Sequence, residues 1–262
     1  GRVGFHYRQE IRKDPSMHRF FVKPEQLGDG RVRIQGEDVH HIRQVLRMRP
    51  GEEILVSCGD DWEYTCRILS LEEREVLAEI LDAQKPGKEL PSRLYLFQCL
   101  PKGDKMEWII QKAVELGAYR VVPVASRRCI VRLEGKKAEA RRIRWNAVAA
   151  SAAKQSKRMI LPEVSGILTF QEALKAAGQL DVRLIPYERA EKMAETRKLL
   201  SEIHPGQSVG ILIGPEGGFE EEEVNMAEQA GFCPITLGKR ILRTETAGLA
   251  ALSVLMYLLE QD

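Results

Sequence analysis

The sequence predicts an α/β fold on a parallel sheet, preceded by a small β-barrel, and three observations carry that expectation. Up to Leu81 the apolar residues fall in short alternating runs. From Asp82 to Ser92 the composition turns to charged residues broken by Pro86, Gly87 and Pro91. After Ser92, strand-like runs alternate with segments of helical spacing. A chain that repeats strand, helix, strand buries a parallel sheet between two helical layers.

The first part holds runs at Phe20 to Val22, Val32 to Ile34, Ile54 to Cys58, Tyr64 to Leu69 and Val76 to Leu81, with turn residues between them. Short strands at this spacing suit a small barrel. One helix interrupts them, with Val39, Ile42, Val45 and Leu46 as its apolar face and Gly51 as its stop. His40 and His41 are adjacent on that helix and point different ways, so they do not make a metal site.

Residues 82–92 have the composition of an interdomain linker. Beyond them Leu94 to Leu100 reads as strand. Lys105 to Leu116 reads as helix, with Met106, Ile109, Ile110, Ala113 and Val114 on one face, Asp104 and Glu107 at its start and Gly117 at its end. Val121 to Val124 is strand, about Lys136 to Lys154 a long basic helix, Val182 to Ile185 strand, and Glu191 to Ile203 helix. Two sharper strand-to-helix units, Val209 to Gly231 and Phe232 to Leu259, complete the chain. Residues 1–16 are polar and precede a plausible initiator at Met17, so they are set aside as an extension or cloning remnant. The expected organisation is then a barrel at 17–81, a linker at 82–92 and an α/β domain at 93–262.

At 262 residues, 44% hydrophobic and 30% charged, the chain is long enough to bury a core and ordinary for a soluble globular protein. The longest nearly unbroken apolar stretch, Ala247 to Leu259, is shorter than the roughly 20 residues that span a bilayer and reads as a buried helix. No secretory h-region opens the sequence. The five cysteines, Cys58, Cys66, Cys99, Cys129 and Cys233, never form C-x-x-C. They read as packing residues in a reducing cytoplasm, with neither a disulfide framework nor a zinc site. A net charge of +2 does not by itself call for a nucleic-acid partner. Its distribution is more telling: Arg43, Arg47 and Arg49, then Arg127, Arg128 and Arg132, then Lys136 to Arg144 with Lys154, Lys157 and Arg158 are basic clusters, while acid gathers at Glu220 to Glu223.

Two segments carry chemistry. Gly210 to Phe219 is a buried strand opening into a glycine-rich turn, which lets backbone amides approach a ligand at the carboxyl edge of a parallel sheet. Its spacing fits neither G-x-G-x-x-G nor the P-loop. Glu216 and the run Glu220 to Glu223, with no lysine in the segment to offset them, also disfavour a polyphosphate and suit a cationic ligand. Acids there favour the start of the following helix. The second segment, Ile235 to Ala247, is another strand, a turn at Gly238 and an apolar helix with Thr244 as a plausible N-cap.

Together, Ile213-Gly214-Pro215-Glu216-Gly217-Gly218-Phe219 and Leu237-Gly238-Lys239-Arg240-Ile241-Leu242-Arg243-Thr244-Glu245-Thr246-Ala247 closely resemble the cofactor-binding signature of the SPOUT methyltransferases, specifically the bacterial 16S rRNA uracil-N3 methyltransferase family of the RsmE type. Met17 to Val22, the helix His40 to Arg47, Lys102 to Glu107 and Ala149 to Ser156 resemble the same family. The likeness covers about Met17 to Leu259.

That resemblance implies a PUA-like RNA-binding barrel followed by a trefoil-knotted parallel-sheet domain. Periodicity alone would argue against a knot. It further implies a homodimer, S-adenosyl-L-methionine as cofactor and 16S rRNA of the small ribosomal subunit as substrate; the lack of ligand clusters in the sequence predicts no metal. The cofactor would lie against Ile213, Gly214, Pro215, Gly218, Leu237, Gly238, Ile241 and Leu242, closed by the loop from Leu184 to Pro186. Arg243 would act at the uracil or a nearby phosphate, and Glu216 would accept the N3 proton. Arg19, Arg43, Arg47, Lys102, Arg127, Arg128 and Arg132 would contact RNA. A nitrogen nucleophile needs no covalent cysteine adduct. A SPOUT enzyme acting on a ribose 2′-hydroxyl or on tRNA, and a non-catalytic rRNA-binding assembly factor, stand as alternatives.

Overall fold

The computed structural model describes residues 17–59, 62–187 and 192–261. The expectations placed on Gly1 to Ser16 and on Glu191 as a helix start lie outside the described residues. The chain forms two compact units, Gly1–Pro86 and Gly87–Asp262.

The first unit contains β1 (Arg19–Phe21), β2 (Leu27–Gly28), β3 (Arg31–Gln35), α1 (Glu37–His40), β4 (Glu53–Ser57), β5 (Glu63–Leu71) and β6 (Glu75–Gln84). They make one sheet in the order β1-β4-β5-β6-β3-β2, with β1 parallel to β4 and the other pairs antiparallel. Every second residue points inward: Val32 and Ile34, Ile54 and Val56, Cys66 and Ile68, Val76 and Ala78 close on Phe20 and Ile42. The recorded pairings end at β1 and β2, so the expected barrel is a half-barrel curled around this core.

Two expectations fail in this unit. α1 continues from His41 to Val45 as a π-helical turn, which is wider than an α-turn, and Val45 leaves the apolar face to stand 59% exposed. Arg19 does not face RNA. Its guanidinium is buried, donating to Ser57 Oγ at 2.8 Å and to the buried Glu63 carboxylate. Pulling it out would strand a buried carboxylate, a loss of about 3–5 kcal/mol.

The second unit contains β7 (Leu94–Cys99), α2 (Lys105–Glu115), β8 (Ala118–Ala125), α3 (Gly135–Gln155), β9 (Glu163–Val164), β10 (Leu168–Thr169), α4 (Phe170–Ala177), β11 (Val182–Pro186), α5 (Met193–Ser201), β12 (Val209–Ile213), α6 (Glu221–Gln229), β13 (Cys233–Ile235) and α7 (Thr244–Leu259). The sheet order is β10-β8-β7-β12-β11-β13, with β9 beside β8, and every recorded pairing is parallel. β12 is buried along its whole length, as a strand covered on both faces must be. β8 and β10 lie on one side of β7, and β12, β11 and β13 on the other. The order of connection therefore reverses between β7 and β12, where α/β sheets open a crevice at the carboxyl ends of their strands.

The linker is shorter than its composition suggests. Asp82 to Gln84 continue β6. Glu89 belongs to the second unit, accepting from buried Arg158 at 2.7 Å and from the Met159 N–H at 2.8 Å. Arg158 is thus a structural cation, although it reads as part of a basic cluster. α4 escapes notice in the sequence, although Thr169 and Glu172 cap it reciprocally, Glu172 N–H to Thr169 Oγ1 at 3.2 Å and Thr169 N–H to Glu172 Oε2 at 2.8 Å. α7 is only half buried: Gly248, Ala251, Leu252, Leu255 and Leu259 face inward, while Val254, Tyr257 and Leu258 are exposed. Among the described residues no helix is long and apolar enough to cross a membrane.

Candidate active site

A cleft of about 510 Å³ opens where β11, β12 and β13 end. Pro186 ends β11 and Tyr187 follows it, the turn Gly214 to Phe219 follows β12, and the loop Thr236 to Arg243 follows β13. Lys105, Arg128, Thr244 and Ala247 complete the wall. Both turns depend on left-handed glycines, Gly218 at φ +68 and Gly238 at φ +113. At Gly214 an added Cβ would stand 3.2 Å from the Phe219 ring.

The first turn is tied on three sides. Glu216 Oε1 accepts from the Lys102 N–H at 3.0 Å and from Lys105 Nζ at 3.2 Å. Arg128 donates to Gly217 O at 2.9 Å, and the Thr244 hydroxyl donates to Gly214 O at 2.6 Å while accepting from Gln98 Nε2 at 2.9 Å. Thr244 is therefore not the helix cap. Arg243 holds that position without a side-chain bond, because the Thr244 hydroxyl is spent on joining β7, β12 and α7.

Charge in the cleft differs from what the sequence suggests. Burial alone would raise the Glu216 carboxyl, but hydrogen bonds from the Lys102 and Glu216 N–H groups and from Lys105 outweigh it and hold it below the ordinary carboxylate range. Lys105, which also lies 3.3 Å from Glu245, is raised, chiefly by its bond to Glu216. The acids of α6 are likewise engaged. Arg127 donates to Glu220 at 2.9 Å and Glu222 at 2.5 Å, and its N–H to Glu223 at 2.9 Å. The cations that offset these acids come from elsewhere in the chain, so the electrostatic objection to a polyphosphate falls and only the motif spacing stands against it.

Most of the residues singled out for the cofactor meet in this cleft: Pro186, Ile213, Gly214, Pro215, Gly218, Leu237, Gly238, Ile241 and Leu242, with Glu216 and Arg243 beside them. Leu184 does not. It is wholly buried within β11, paired with Ile211 and Cys233, and Pro186 and Tyr187 reach the cleft from the strand end instead. Lys239 and Arg240 fall within the expected stretch Leu237 to Leu242, whereas Lys105, Arg128 and Tyr187 line the site without having been singled out for the cofactor. Lys105 lies in the family-like segment Lys102 to Glu107, but its place at the site is set by Glu216, 111 positions away. Of the basic residues, Arg127 and Arg128 are bound by α6 and the first turn, Arg43 is half-buried, and Arg47, Lys102 and Arg132 are exposed.

The cysteines stay out of the cleft. Burial pushes the Cys66 thiol up to about 12, whereas the Cys129 thiol, bonded by Cys99, is lowered to about 6. Among the described residues no group of three or more His, Cys, Asp or Glu side chains is placed to hold a metal ion.

Comparison with known proteins follows the same division. A family described as an RNA methyltransferase domain matches residues 88–256, and one described as an RNA methyltransferase PUA domain matches residues 34–81. The ribosomal RNA small subunit methyltransferase E of Bacillus subtilis is 38% identical over 92% of this chain and 96% of its own length. The chain belongs to the ribosomal RNA small subunit methyltransferase E family. A crystal structure of that methyltransferase from Neisseria gonorrhoeae, bound to S-adenosyl methionine, is 40% identical, covers 92% of this chain and 98% of its own, and superposes with TM-score 0.79. A Legionella pneumophila structure in complex with the same cofactor is 30% identical, covers 92% of this chain and 97% of its own, and has TM-score 0.80. The second unit of this family member is thus its methyltransferase domain, and the curled sheet carries its PUA domain.

Proposed function

We propose that the chain transfers a methyl group from S-adenosylmethionine to N3 of a uracil in 16S rRNA. The observation that carries this is the cleft itself. In a member of this family, two glycine turns at adjacent strand ends enclose about 510 Å³, inside the range of small-molecule pockets. The backbone at Ile213 to Gly218 and Leu237 to Leu242 would hold the cofactor, which when bound supplies an electrophilic methyl on a sulfonium. The Gly238 position leaves room beside the turn that a side chain would reduce.

Uracil N3 lies on the pairing edge, so the base must enter unpaired. Loss of the N3 proton leaves negative charge shared with the two flanking carbonyl oxygens. Arg243, exposed at the cleft with a side chain that has no hydrogen-bond or ion-pair partner among the described residues, is suited to stabilise it. Glu216 is a poor proton acceptor, because two donors already occupy it and hold it ionised. We therefore assign it to fastening the turn and the proton to solvent. The exposed face Val254, Tyr257 and Leu258 of α7 supports a homodimer. The return of the chain from edge strand β13 to α7, which packs on central β7 and β12, supports the knotted threading. The site of action is the cytoplasm, with assembled small subunits.

Incubating the protein with labelled cofactor and undermethylated small subunits, then mapping the product, tests the assignment. Label on N3 of one uracil is expected. Label on a ribose or on tRNA would redirect it, and cofactor binding without transfer would leave an assembly factor.

A further inference from the structure

We infer that Lys239 and Arg240, with Ile241 beside them, form a grip for the RNA backbone on either side of the target nucleotide, and that this role does not fall to the arginines of the loop after β8. The inference rests on the methyltransferase assignment above and names where its substrate is held.

The two basic loops border the same cleft but differ in what their charges already do. Arg127 is bonded to Glu220 and Glu222, and Arg128 donates to Gly217 O. A phosphate approaching either must displace a partner the chain supplies. On α3, Arg142 and Arg144 are likewise bonded, to Glu139 and Glu107. Lys239, Arg240 and Arg243 are exposed, and none of their side chains has a hydrogen-bond or ion-pair partner among the described residues. Glu216, in the cleft wall, and Glu245 are both engaged by Lys105. The loop therefore presents three uncompensated positive charges within five residues.

Position and shape agree with a nucleic acid. The Arg240 guanidinium reaches back over the second glycine turn, 3.7 Å from where a Cβ on Gly238 would stand. Between the cations Ile241 is 89% exposed, an apolar side chain that no described residue covers. A base drawn into the cleft leaves its 5′ and 3′ phosphates at the rim and its neighbours unstacked. Cations flanking an apolar contact match that ligand, with phosphates on Lys239 and Arg240 and the face of an adjacent base on Ile241.

The test is the double variant K239Q/R240Q in the full chain, with undermethylated small subunits and a single-stranded RNA of the target region as probes. Loss of two phosphate contacts on a single strand should lower the slope of log affinity against log salt by about 1.4. KM for subunits should rise about tenfold, by more than turnover at saturation falls, while cofactor affinity without RNA stays within twofold. Ile241→Ser should raise KM and leave the salt slope unchanged. Unchanged KM and slope in K239Q/R240Q would overturn the inference. So would lost cofactor affinity, which would make the loop a cofactor wall, or a changed mass in light scattering, which would make it a subunit contact. If the unmodified protein methylated no rRNA, the parent assignment would fail, and the RNA salt slopes would still decide the loop's role.

Discussion

The two glycine turns that enclose the cleft are built on opposite plans. The first is bolted down: Glu216 to α2, Gly217 to Arg128, Gly214 to Thr244, and Gly218 N–H to Pro215 O at 2.9 Å. The second is fastened only at its start, where the Thr236 hydroxyl meets Gly238 N–H at 3.2 Å and Gly238 O at 3.3 Å. From Lys239 to Leu242 no hydrogen bond to a described residue holds it. One wall is preorganised by the chain's own bonds, and the other is left to be ordered by what it binds. Preorganisation avoids an ordering cost on binding, while an uncommitted wall can conform to a large, charged substrate.

This contrast can be broken at four points, in descending order of effect. Arg243→Ala, at the end of the loose turn, should lower turnover at saturating RNA about 100-fold with cofactor affinity intact, the mark of an interaction made in the transition state. A change confined to RNA affinity would move Arg243 into the phosphate grip. Gly238→Val should weaken cofactor binding at least about tenfold in calorimetry, because its φ of +113 admits a β-branched residue only with strain of about 1–3 kcal/mol. Unchanged heat would remove this turn from the pocket.

Thr244→Val tests the bolted turn. It strips the donor from part-buried Gly214 O and the acceptor from buried Gln98 Nε2, and should cost about 1–3 kcal/mol in urea unfolding. The smallest effect should be that of Glu216→Gln. Turnover should change by less than about threefold, because Glu216 fastens and does not accept the proton; a loss near 100-fold would restore it as the base. Its carboxyl is lowered in the fold, so the stability it adds is present above the unfolded value near 4.3 and is lost as pH falls through the folded one. The variant should therefore be slightly less stable than the parent at pH 7 and equal to it in strong acid.

Residues 82–92 show the limit of composition as a guide. Pro86 and Gly87 do mark the division between the two units. Charge and proline could not reveal that Asp82 to Gln84 extend β6, or that Glu89 is gripped by Arg158, 69 positions on. The capping box at Thr169 and Glu172 was there to be read, and its helix went unread because the surrounding apolar pattern is short. Val45 was misplaced because a period of 3.6 was assumed where the chain makes a π-turn.

What the sequence by itself determined is what neighbouring residues encode: the period of two that folds the first unit into a sheet, the alternation that makes the second parallel, and the two glycine turns that become the cleft. The tertiary structure alone decided which charges are free. Arg19 and Arg243 look alike in sequence, yet one is buried against Glu63 and the other stands open at the cleft. Arg127 looks available until α6 brings Glu220 beside it from 93 positions away. The reason is physical. Backbone periodicity and turn geometry are set by local sterics, whereas a side chain's electrostatic partner is set by where the topology delivers the opposite charge, and over such separations no local pattern records it.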